Sequence, residues 1–322
     1  MELSAKWKAL AGLIALSALA VLPFYLQERY SQYEVYLATK IVVWVLFAMS
    51  FNLVLGYGGM MSFGHAAFFG AAAYTCALLM VKAKWPSIPA YLIAPFVAAL
   101  IGLIVGYFSV RITGAFYFAT LTLSFSMLLY ILVFKWRSFT FGDDGIQGIP
   151  VPELISTQES YINCYFFAIV VTLVCLYILW RIVNSPFGLI LRTLREDPDR
   201  AAFIGVNVNR YRLVAFVISA FFSGIAGVLY MSLEASLAPD ILFWSSSGEV
   251  ILMGLVGGMH VFLGPAVGAT IMVLLNSLLT SYTQHWGMFL GITLILIVLF
   301  FPEGVLGVLR EKYLAAVKKR SA

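Results

Sequence analysis

Charged residues are scarce in this chain. Asp, Glu, Lys and Arg make up 11% of its 322 residues, whereas hydrophobic residues make up 62%. A soluble domain carries roughly 25% charged residues, so most of the surface of this protein does not face water. The mean hydropathy of +0.96 agrees with this conclusion. The composition therefore excludes an ordinary soluble enzyme and predicts a membrane protein without a water-soluble domain.

Signatures of catalysis are missing as well. No lysine follows a glycine, so the chain lacks the phosphate loop that ATP-hydrolysing proteins use. Cys76, Cys164 and Cys175 lie in apolar segments at spacings that match no metal site, and no Gly-x-Ser-x-Gly motif is present. We therefore predict no enzyme activity, no metal site and no cofactor. The basic residues flank apolar segments and form no stripe, which argues against a nucleic-acid partner.

Long apolar runs recur along the chain, as is typical of helices that span a lipid bilayer. They lie near residues 8–26, 36–55, 59–81, 89–110, 113–135, 161–181, 211–233, 261–281 and 286–302. A shorter apolar stretch, 247–258, either crosses the membrane or forms a re-entrant piece. The sequence thus predicts an all-α polytopic membrane protein with a single transmembrane domain over 1–322. It has about ten spans, or eight or nine if 247–258 is re-entrant.

The basic residues predict the orientation, because cytoplasmic segments are enriched in Lys and Arg. With ten spans and both termini cytoplasmic, most basic residues lie on the cytoplasmic side: Lys6, Lys8, Arg111, Arg181, Arg192, Arg195, Arg200, Arg210, Arg212, Arg310, Lys312, Lys318, Lys319 and Arg320. The outer segments then hold Arg29, Lys40, Lys82, Lys84, Lys135 and Arg137. Residues 18–20 resemble a signal-peptide cleavage site, but the apolar run continues beyond them, which favours a retained first helix.

Small residues crowd the segment 56–74, which is typical of closely packed helices or of broken helices beside a cavity. Ser62 and His65 are polar groups within reach of the membrane, so these two residues and Gly64 are candidates for a translocation path. His65 is equally suited to a hydrogen bond with a neighbouring helix. A serine-protease pair is disfavoured, because two residues three apart on one helix rarely point at each other.

The polar stretch 184–210 predicts two short cytoplasmic helices. Pro186 and Gly188 mark the turn before the first, and Asp197 is placed to cap the second, with Pro198 at its first position and Gly205 after its last turn. The apolar faces of these helices have nothing of their own to pack against, so we expect them to dock on a partner protein. The alternative is a solvated loop with interfacial helices.

The stretch 247–269 combines a carboxylate, a glycine pair and a Gly-Pro step, which suits a broken helix at a translocation path. Glu249, Gly257 and Gly258 are therefore candidate path residues. Alternatively, Glu249 caps the short helix at the outer interface. The outer loop 141–150, with its glycines and two aspartates, predicts a structured turn.

Five pieces of the sequence, taken in order, resemble the LivM-type permeases of branched-chain amino-acid ABC transporters. They are 52–74, 142–150, 192–205 with 216–220, 257–269 and 302–305. The resemblance implies a second, similar permease subunit, two cytoplasmic ABC ATPase subunits, a periplasmic substrate-binding protein and a bacterial inner-membrane location. It implies a branched-chain amino acid as the substrate, namely leucine, isoleucine or valine. The segment 184–210 contains the implied ATPase-coupling residues Arg192, Arg195, Glu196, Asp197, Arg200, Ala201, Ala202 and Gly205.

Two alternatives to this function stay open. His260 stands where the family pattern has a small residue, so a related permease for urea or short-chain amides is an alternative. A secondary amino-acid transporter or a channel is the other. Secondary transporters bury charged residues along their path, and here we expect only Glu249 to be so placed. This scarcity favours an energy source outside the chain.

Overall fold

The computed structural model describes residues 32–111, 114–152, 155, 161–282, 285, 287–289, 291–292, 295, 299 and 304–308. The predicted first span, 8–26, lies outside the described residues, as do most of the predicted span 286–302 and the basic tail beyond 308. The described chain is helical apart from its connections and one isolated bridge between Ile146 and Leu237.

The α-helices of the described chain differ widely in length. They are α1 (Gln32–Asn52), α2 (His65–Val81), α3 (Ser87–Ser109), α4 (Ala115–Lys135), α5 (Arg137–Thr140), α6 (Tyr161–Val183), α7 (Pro186–Glu196), α8 (Pro198–Phe203), α9 (Val208–Glu234), α10 (Trp244–Gly257) and α11 (Gly264–Tyr282). Six helical stretches of the described chain are long and apolar enough to cross a membrane: Gln32–Tyr57, Ser87–Ser109, Phe116–Lys135, Tyr161–Val183, Val208–Glu234 and Gly264–Tyr282. The all-α polytopic prediction is thus confirmed for these residues, whereas the number of ten spans is not.

Helices α1 and α9 run antiparallel, and α9 also packs on α2 and α3. Near the start of α1, the Tyr36 hydroxyl donates to the Glu234 carboxylate at the end of α9 over 2.7 Å. Near the other end of α1, the Ser50 carbonyl accepts from the Ser219 hydroxyl over 2.6 Å. The end of the bundle where α1 finishes and α9 begins carries α7 and α8 with their arginines, and is referred to as the basic end. Glu234 lies at the opposite end.

Small residues bring α3 and α9 into close contact. A Cβ added at Gly102 would come within 2.5 Å of the Ala220 Cβ, and one at Gly224 within 2.7 Å of the Ala98 Cβ. Inside lipid, an apolar side chain gains little by exchanging lipid tails for protein, so helices associate by close packing of their backbones. The α3–α9 contact is of this kind, and it places α9 at the centre of the bundle.

The predicted span 59–81 is wrong in its first part. Helix α2 begins only at His65, and residues 58–64 form an irregular segment after a π-helical turn, Leu53–Tyr57, that extends α1. Gly59 has φ +65°, a left-handed conformation that glycine adopts without strain and that an α-helix cannot contain. The apolar, small-residue composition continues from residue 58 into α2. Hydropathy alone therefore predicted one continuous span where the chain has an irregular segment followed by a helix.

The stretch 237–257 runs alongside α2 in the opposite direction. Leu237 accepts a hydrogen bond from the Tyr74 hydroxyl, whereas Ser247 accepts one from the Ala66 backbone, farther from the end at Glu234. A short 3-10 turn and then α10 carry the chain inward, and α10 finishes at the basic end. The fourteen residues of α10 cover about 21 Å, less than the hydrocarbon thickness. The predicted apolar piece 247–258 is therefore the inner part of a longer passage through the bundle.

Candidate functional site

Helices α2 and α10 both begin inside the bundle, and their first turns meet there. The backbone N–H of Ala66 donates to the Ser247 hydroxyl over 2.8 Å, while Gly64 at the N-cap of α2 has no side chain with which to cap it. The first four N–H groups of a helix lack partners within it, and an unpaired one is costly away from water. Ser247 thus supplies the missing cap and ties the two short helices together.

The irregular segment 58–64 finds hydrogen-bond acceptors inside the bundle. The N–H of Phe63 donates to Thr122 Oγ1 in α4, and the N–H of Gly64 donates to the Ser62 hydroxyl, each over 3.2 Å. A Cβ at Gly64 would lie 2.9 Å from the Thr122 carbonyl oxygen, so glycine permits this close approach. Non-helical backbone is tolerated at membrane depth only where protein or water pairs it. Here α4 provides that support.

His65 joins three structural elements through its ring nitrogens. Nδ1 lies 3.0 Å from the Ser62 hydroxyl oxygen, and Nε2 lies 2.9 Å from that of Ser219 in α9. Ser219 already donates its only proton to the Ser50 carbonyl of α1. It must therefore accept from His65 Nε2–H, which leaves Nδ1 to accept from Ser62. The interpretation that His65 hydrogen-bonds a neighbouring helix is confirmed.

The contact between Ser62 and His65 corrects one expectation. Their side chains do point at each other, because Ser62 precedes α2 and is free to turn towards the first residue of the helix. Both side chains are 0% exposed, so a protease substrate has no access to them. The pair stabilises the start of α2. Its role in a translocation path stays a prediction.

A cavity of about 630 Å³ lies between α1, α9, α10 and α11. Its lining includes the exposed Asp240, in the 3-10 turn Pro239–Leu242, and extends to the buried Met253 of α10. Its wall includes Lys40, Trp44, Asp240, Glu249, Met253 and Met272. The wall combines apolar side chains with polar and charged ones, and a cavity of this size is large enough for a small molecule.

Glu249 is the predicted path residue that reaches this cavity. The alternative that it caps α10 is wrong, because the helix begins at Trp244 after the N-cap residue Phe243, and Glu249 lies in its second turn. With the residues that the structure describes, its half-buried carboxylate forms neither a hydrogen bond nor an ion pair. The cavity is the open space next to this charge.

Gly257 is the last residue of α10, and Gly258 follows it in the connection to α11; neither lines the cavity. A Cβ at Gly257 would fall 1.8 Å from the Gly264 carbonyl oxygen, and Gly258 has φ +101°. Gly304 packs against the same turn, since a Cβ there would lie 2.3 Å from the Gly258 nitrogen. These glycines therefore let three backbone segments meet at the basic end. Any role in translocation stays a prediction.

The local geometry predicted for residues 184–210 is confirmed at the second helix but not at the first, because Pro186 and Gly188 lie in the first turn of α7 and not in a turn before it. Asp197 caps α8 by accepting from the Arg200 N–H over 2.9 Å, and Pro198 is the first residue of that helix. Gly205, with φ +89°, follows its last turn. Arg192, Glu196 and Ala202 are exposed on this surface.

The expectation that the helix pair has nothing of its own to pack against is wrong. Leu191, Leu194 and Ala201 are at most 1% exposed and belong to the hydrophobic core of the bundle. Phe203 and Ile204, in contrast, are 91% and 75% exposed. The apolar surface available for a partner therefore includes the tip of α8 and, on α7, Leu189, which is 65% exposed.

Arg195 connects this helix pair to the interior. Its guanidinium donates to the Gly56 carbonyl over 2.6 Å, and its side chain covers Gly59, where a Cβ would come within 2.7 Å of Arg195 Cγ. Gly56 also packs against the turn after α10, since its Cβ would lie 2.5 Å from the Met259 carbonyl oxygen. The guanidinium of Arg192 lies 5.1 Å from the Tyr57 ring centre. The C-terminal half of α7 thus contacts the π-helical turn Leu53–Tyr57 that extends α1.

A family model for "Branched-chain amino acid transport system / permease component" matches residues 33–299. The chain belongs to this family. It is therefore a multi-pass membrane component of a transport system, and the main interpretation of the sequence as a LivM-type permease is confirmed. As a permease component, it is assigned a transport role and not that of an enzyme.

Curated relatives of this permease component agree with the family match. The high-affinity branched-chain amino acid transport system permease protein LivM of Escherichia coli is 28% identical, over 93% of this chain and 75% of that protein. LivM of Salmonella typhimurium is equally similar, with the same coverage. The permease protein LivH of Salmonella typhimurium is 23% identical, over 82% of this chain and 91% of that protein.

The sequence did not predict the positions of two residues in this permease component, namely Lys40 in the cavity wall and Gly56 as the hydrogen-bond acceptor of Arg195. Lys40 was assigned to an outer segment, although it lies inside the predicted span 36–55, and a lysine within an apolar run was the signal that would have marked it. Gly56 was grouped with the small residues that pack helices, and nothing local indicated that its carbonyl binds Arg195. That contact joins residues 139 positions apart in the chain.

Proposed function

We propose that this chain is the membrane-spanning subunit of an ATP-driven importer of the branched-chain amino acids leucine, isoleucine and valine. The observation that carries the proposal is the helix pair, which exposes Phe203 at its tip and binds Gly56 in the interior through Arg195. Because the sequence lacks a phosphate loop, the energy must come from partner subunits that hydrolyse ATP.

The proposed assembly contains a second, homologous permease subunit, two cytoplasmic ABC ATPase subunits and a periplasmic substrate-binding protein. Phe203 and Ile204 would enter an apolar groove of an ATPase, since exposed aromatic and aliphatic side chains supply most of the energy at such contacts. Arg192, Arg195, Glu196, Asp197, Arg200, Ala201, Ala202 and Gly205 would form the coupling surface around them.

In this proposal the basic end faces the cytoplasm of a bacterium, because cytoplasmic segments are enriched in Lys and Arg. Eight passages between the two ends run through α1, 58–81, α3, α4, α6, α9, 237–257 and α11. The apolar runs 8–26 and 286–302 would add two more, giving ten crossings with both termini cytoplasmic. The cavity then opens towards the periplasm, where a binding protein delivers its substrate.

The proposed mechanism is alternating access. Closure of the ATPases pushes on α7 and α8, and Arg195 transmits the push to Gly56 and to the turn at Met259. Because that turn ends α10, the push shifts the helix that carries Glu249 along the cavity wall. Ser62, Gly64 and His65, at the start of α2, and Gly257 and Gly258, at the end of α10, would accommodate this shift.

Reconstitution of the complete complex in vesicles tests this function. We expect leucine to accumulate inside vesicles only when ATP is supplied on the cytoplasmic side and the binding protein on the other. Reversal of charge within 195–202, or Phe203→Asp, should abolish uptake and weaken ATPase attachment, whereas the exposed Arg181→Gln should not. Unchanged uptake in both variants would refute the coupling assignment. Uphill accumulation without any ATPase would refute the function itself.

No observation favours the urea, amide or secondary-transporter alternatives. The curated relatives described above are all named for branched-chain amino-acid transport. His260, the residue that raised the amide alternative, is exposed in the turn after α10 and does not line the cavity.

A further inference from the structure

We propose that the cavity binds the charged head group of a zwitterionic aliphatic amino acid, with Glu249 pairing with its ammonium group and Lys40 with its carboxylate. This inference rests on the function proposed above and adds substrate contacts to it. It starts from the observation that side chains of opposite charge, on different helices, line one cavity.

Lys40 and Glu249 approach the cavity from different sides. Lys40 lies in the third turn of α1, and Glu249 lies in the second turn of α10. They form no ion pair with each other, since Lys40 pairs instead with Glu234 at 3.9 Å. Charged groups within a membrane protein are costly, and those that are kept usually serve a substrate or an ion. The space between these two charges is therefore where a ligand with both signs would fit.

Lys40 is held in place but keeps hydrogen-bonding capacity. Its ammonium group donates to the Tyr36 hydroxyl over 3.3 Å, and Tyr36 in turn donates to Glu234 over 2.7 Å. An ammonium group has three donors, and this contact uses one of them. Tyr36 and Glu234 are thus positioning residues, and Lys40 retains donors for a carboxylate in the cavity.

The apolar part of the cavity suits an aliphatic side chain. Met253, Met272 and Val273 line it, and each is less than 10% exposed. Methionine is flexible and polarizable, so it adapts to apolar groups of different shape. An apolar wall that contains two methionines therefore accepts leucine, isoleucine and valine without a rigid fit to any one of them.

The two charges also discriminate against other ligands. A neutral amide would leave Glu249 without a charged partner and Lys40 with Glu234 alone. A simple cation could pair with Glu249 but would offer no acceptor to Lys40, and a simple anion could pair with Lys40 but would be repelled by Glu249 and Asp240. Selectivity of this kind arises from repulsion and unpaired charge as much as from attraction.

Uptake by the reconstituted complex tests the proposal with Glu249→Gln and Lys40→Gln. We expect each to lower ATP-driven leucine uptake by about tenfold or more, since each removes a charge-assisted hydrogen bond to the substrate. ATP hydrolysis stimulated by the loaded binding protein should persist. Lys135→Gln and Asp144→Asn are matched controls, because both residues are exposed near the same end and neither lines the cavity. Wild-type uptake in both test variants would overturn the proposal.

A labelling measurement on the same complex reports binding directly. Ser246 lines the cavity and the native cysteines are buried, so Ser246→Cys gives a single reactive thiol there. Leucine should slow its reaction with a maleimide, whereas 4-methylpentanoate, which lacks the ammonium group, and 3-methylbutylamine, which lacks the carboxylate, should not. Adding Glu249→Gln should remove the protection by leucine.

The outcomes separate the two proposals. Leucine transport by the wild-type complex without any leucine protection of the thiol would overturn the binding site and leave the transport function standing. Protection by leucine in a complex that moves no leucine would overturn the function and support the site. Equal protection by all three compounds would show that the charges select nothing, and would overturn the assignment of Glu249 and Lys40.

Discussion

Arg195 donates a hydrogen bond of 2.6 Å to the backbone carbonyl of Gly56. The arginine belongs to the surface helix α7, and the glycine belongs to the π-helical turn that extends α1 into the irregular segment 58–64. A bond from a charged donor to a backbone carbonyl is stronger than a neutral one. This hydrogen bond therefore attaches the helix pair α7–α8 to the segment that leads to the start of α2.

Arg195→Gln is expected to uncouple ATP hydrolysis from transport. Loss of a hydrogen bond from a charged group costs about 1.5–3 kcal/mol, so we expect leucine uptake to fall by about tenfold while ATP hydrolysis continues. The measurement is the ratio of leucine transported to ATP hydrolysed in vesicles. Arg181→Gln, an exposed arginine at the same end, is the control. An unchanged ratio would show that the bond to Gly56 carries no coupling.

Gly59→Ala is expected to destabilise the protein more than Gly205→Ala. Both glycines have positive φ, at +65° and +89°, so alanine adds strain of about 1–2 kcal/mol at either site. At Gly59 the new Cβ would also meet Arg195 Cγ at 2.7 Å, whereas nothing lies within 4 Å at Gly205. Thermal unfolding of the purified complex measures the difference. Equal losses would mean that Arg195 moves aside freely, and Arg195→Ala should then have no effect on the Gly59→Ala penalty.

The sequence predicted the long helices well and the interior break poorly. Apolar runs mark α3, α4, α6 and α9 because lipid requires them, and hydropathy measures that requirement directly. The break at 58–64 depends on partners from distant segments, since Thr122 and Ser247 accept the hydrogen bonds that the local chain cannot provide. Such contacts between remote residues have no local pattern in a single sequence.

The candidate site was also predicted only in part from the sequence. Glu249 was predicted because a carboxylate in an apolar stretch is unusual at any depth. Lys40 was missed because it is near the start of its apolar run, where a lysine also fits an aqueous loop. Its partners come from other parts of the chain, for Glu234 is nearly two hundred residues away. The cavity is a property of four helices together, which no single segment encodes.

Asp143→Asn is expected to weaken the outer loop at neutral pH but not at low pH. Arg137 donates to both carboxylate oxygens of Asp143, over 2.8 and 2.7 Å, and this hydrogen bonding holds the pKa of the Asp143 carboxyl below its usual value. Because the folded pKa is lowered, the ion pair stabilises the loop fully at pH values above the unfolded pKa, near 4. This stabilisation is lost as the pH falls through the folded pKa.

The rate of limited proteolysis in the loop 136–150 measures the stability that the Arg137–Asp143 pair adds to this loop. Cleavage should be faster in Asp143→Asn than in the wild type at pH 7, and the two rates should converge as the pH is lowered below about 4. Because both side chains are exposed, the difference should be small and should shrink in high salt. Asp144→Asn, which removes the neighbouring charge but not the bidentate contact, is the control. A difference that stays constant with pH would exclude the ionised pair as its cause.

Gly257→Ala and Gly248→Ala should change stability in opposite directions, although both lie in α10. At Gly248 nothing lies within 4 Å of an added Cβ, so alanine only improves helix propensity and adds about 0.5–1 kcal/mol of stability. At Gly257 the Cβ would fall 1.8 Å from the Gly264 carbonyl oxygen. Backbone cannot rotate away as a side chain can, so we expect a loss of about 3 kcal/mol or more, at or beyond the upper end of the usual cost of overpacking.

Thermal unfolding of the complete complex, followed by leucine uptake, distinguishes these outcomes. Gly257→Ala should unfold at a lower temperature and lose uptake, because the turn after α10 also contacts Gly56 and so belongs to the proposed coupling route. Gly248→Ala should unfold at the same or a higher temperature with uptake retained. If Gly257→Ala were as stable as the wild type, α10 and α11 would not meet as closely as the structure has them.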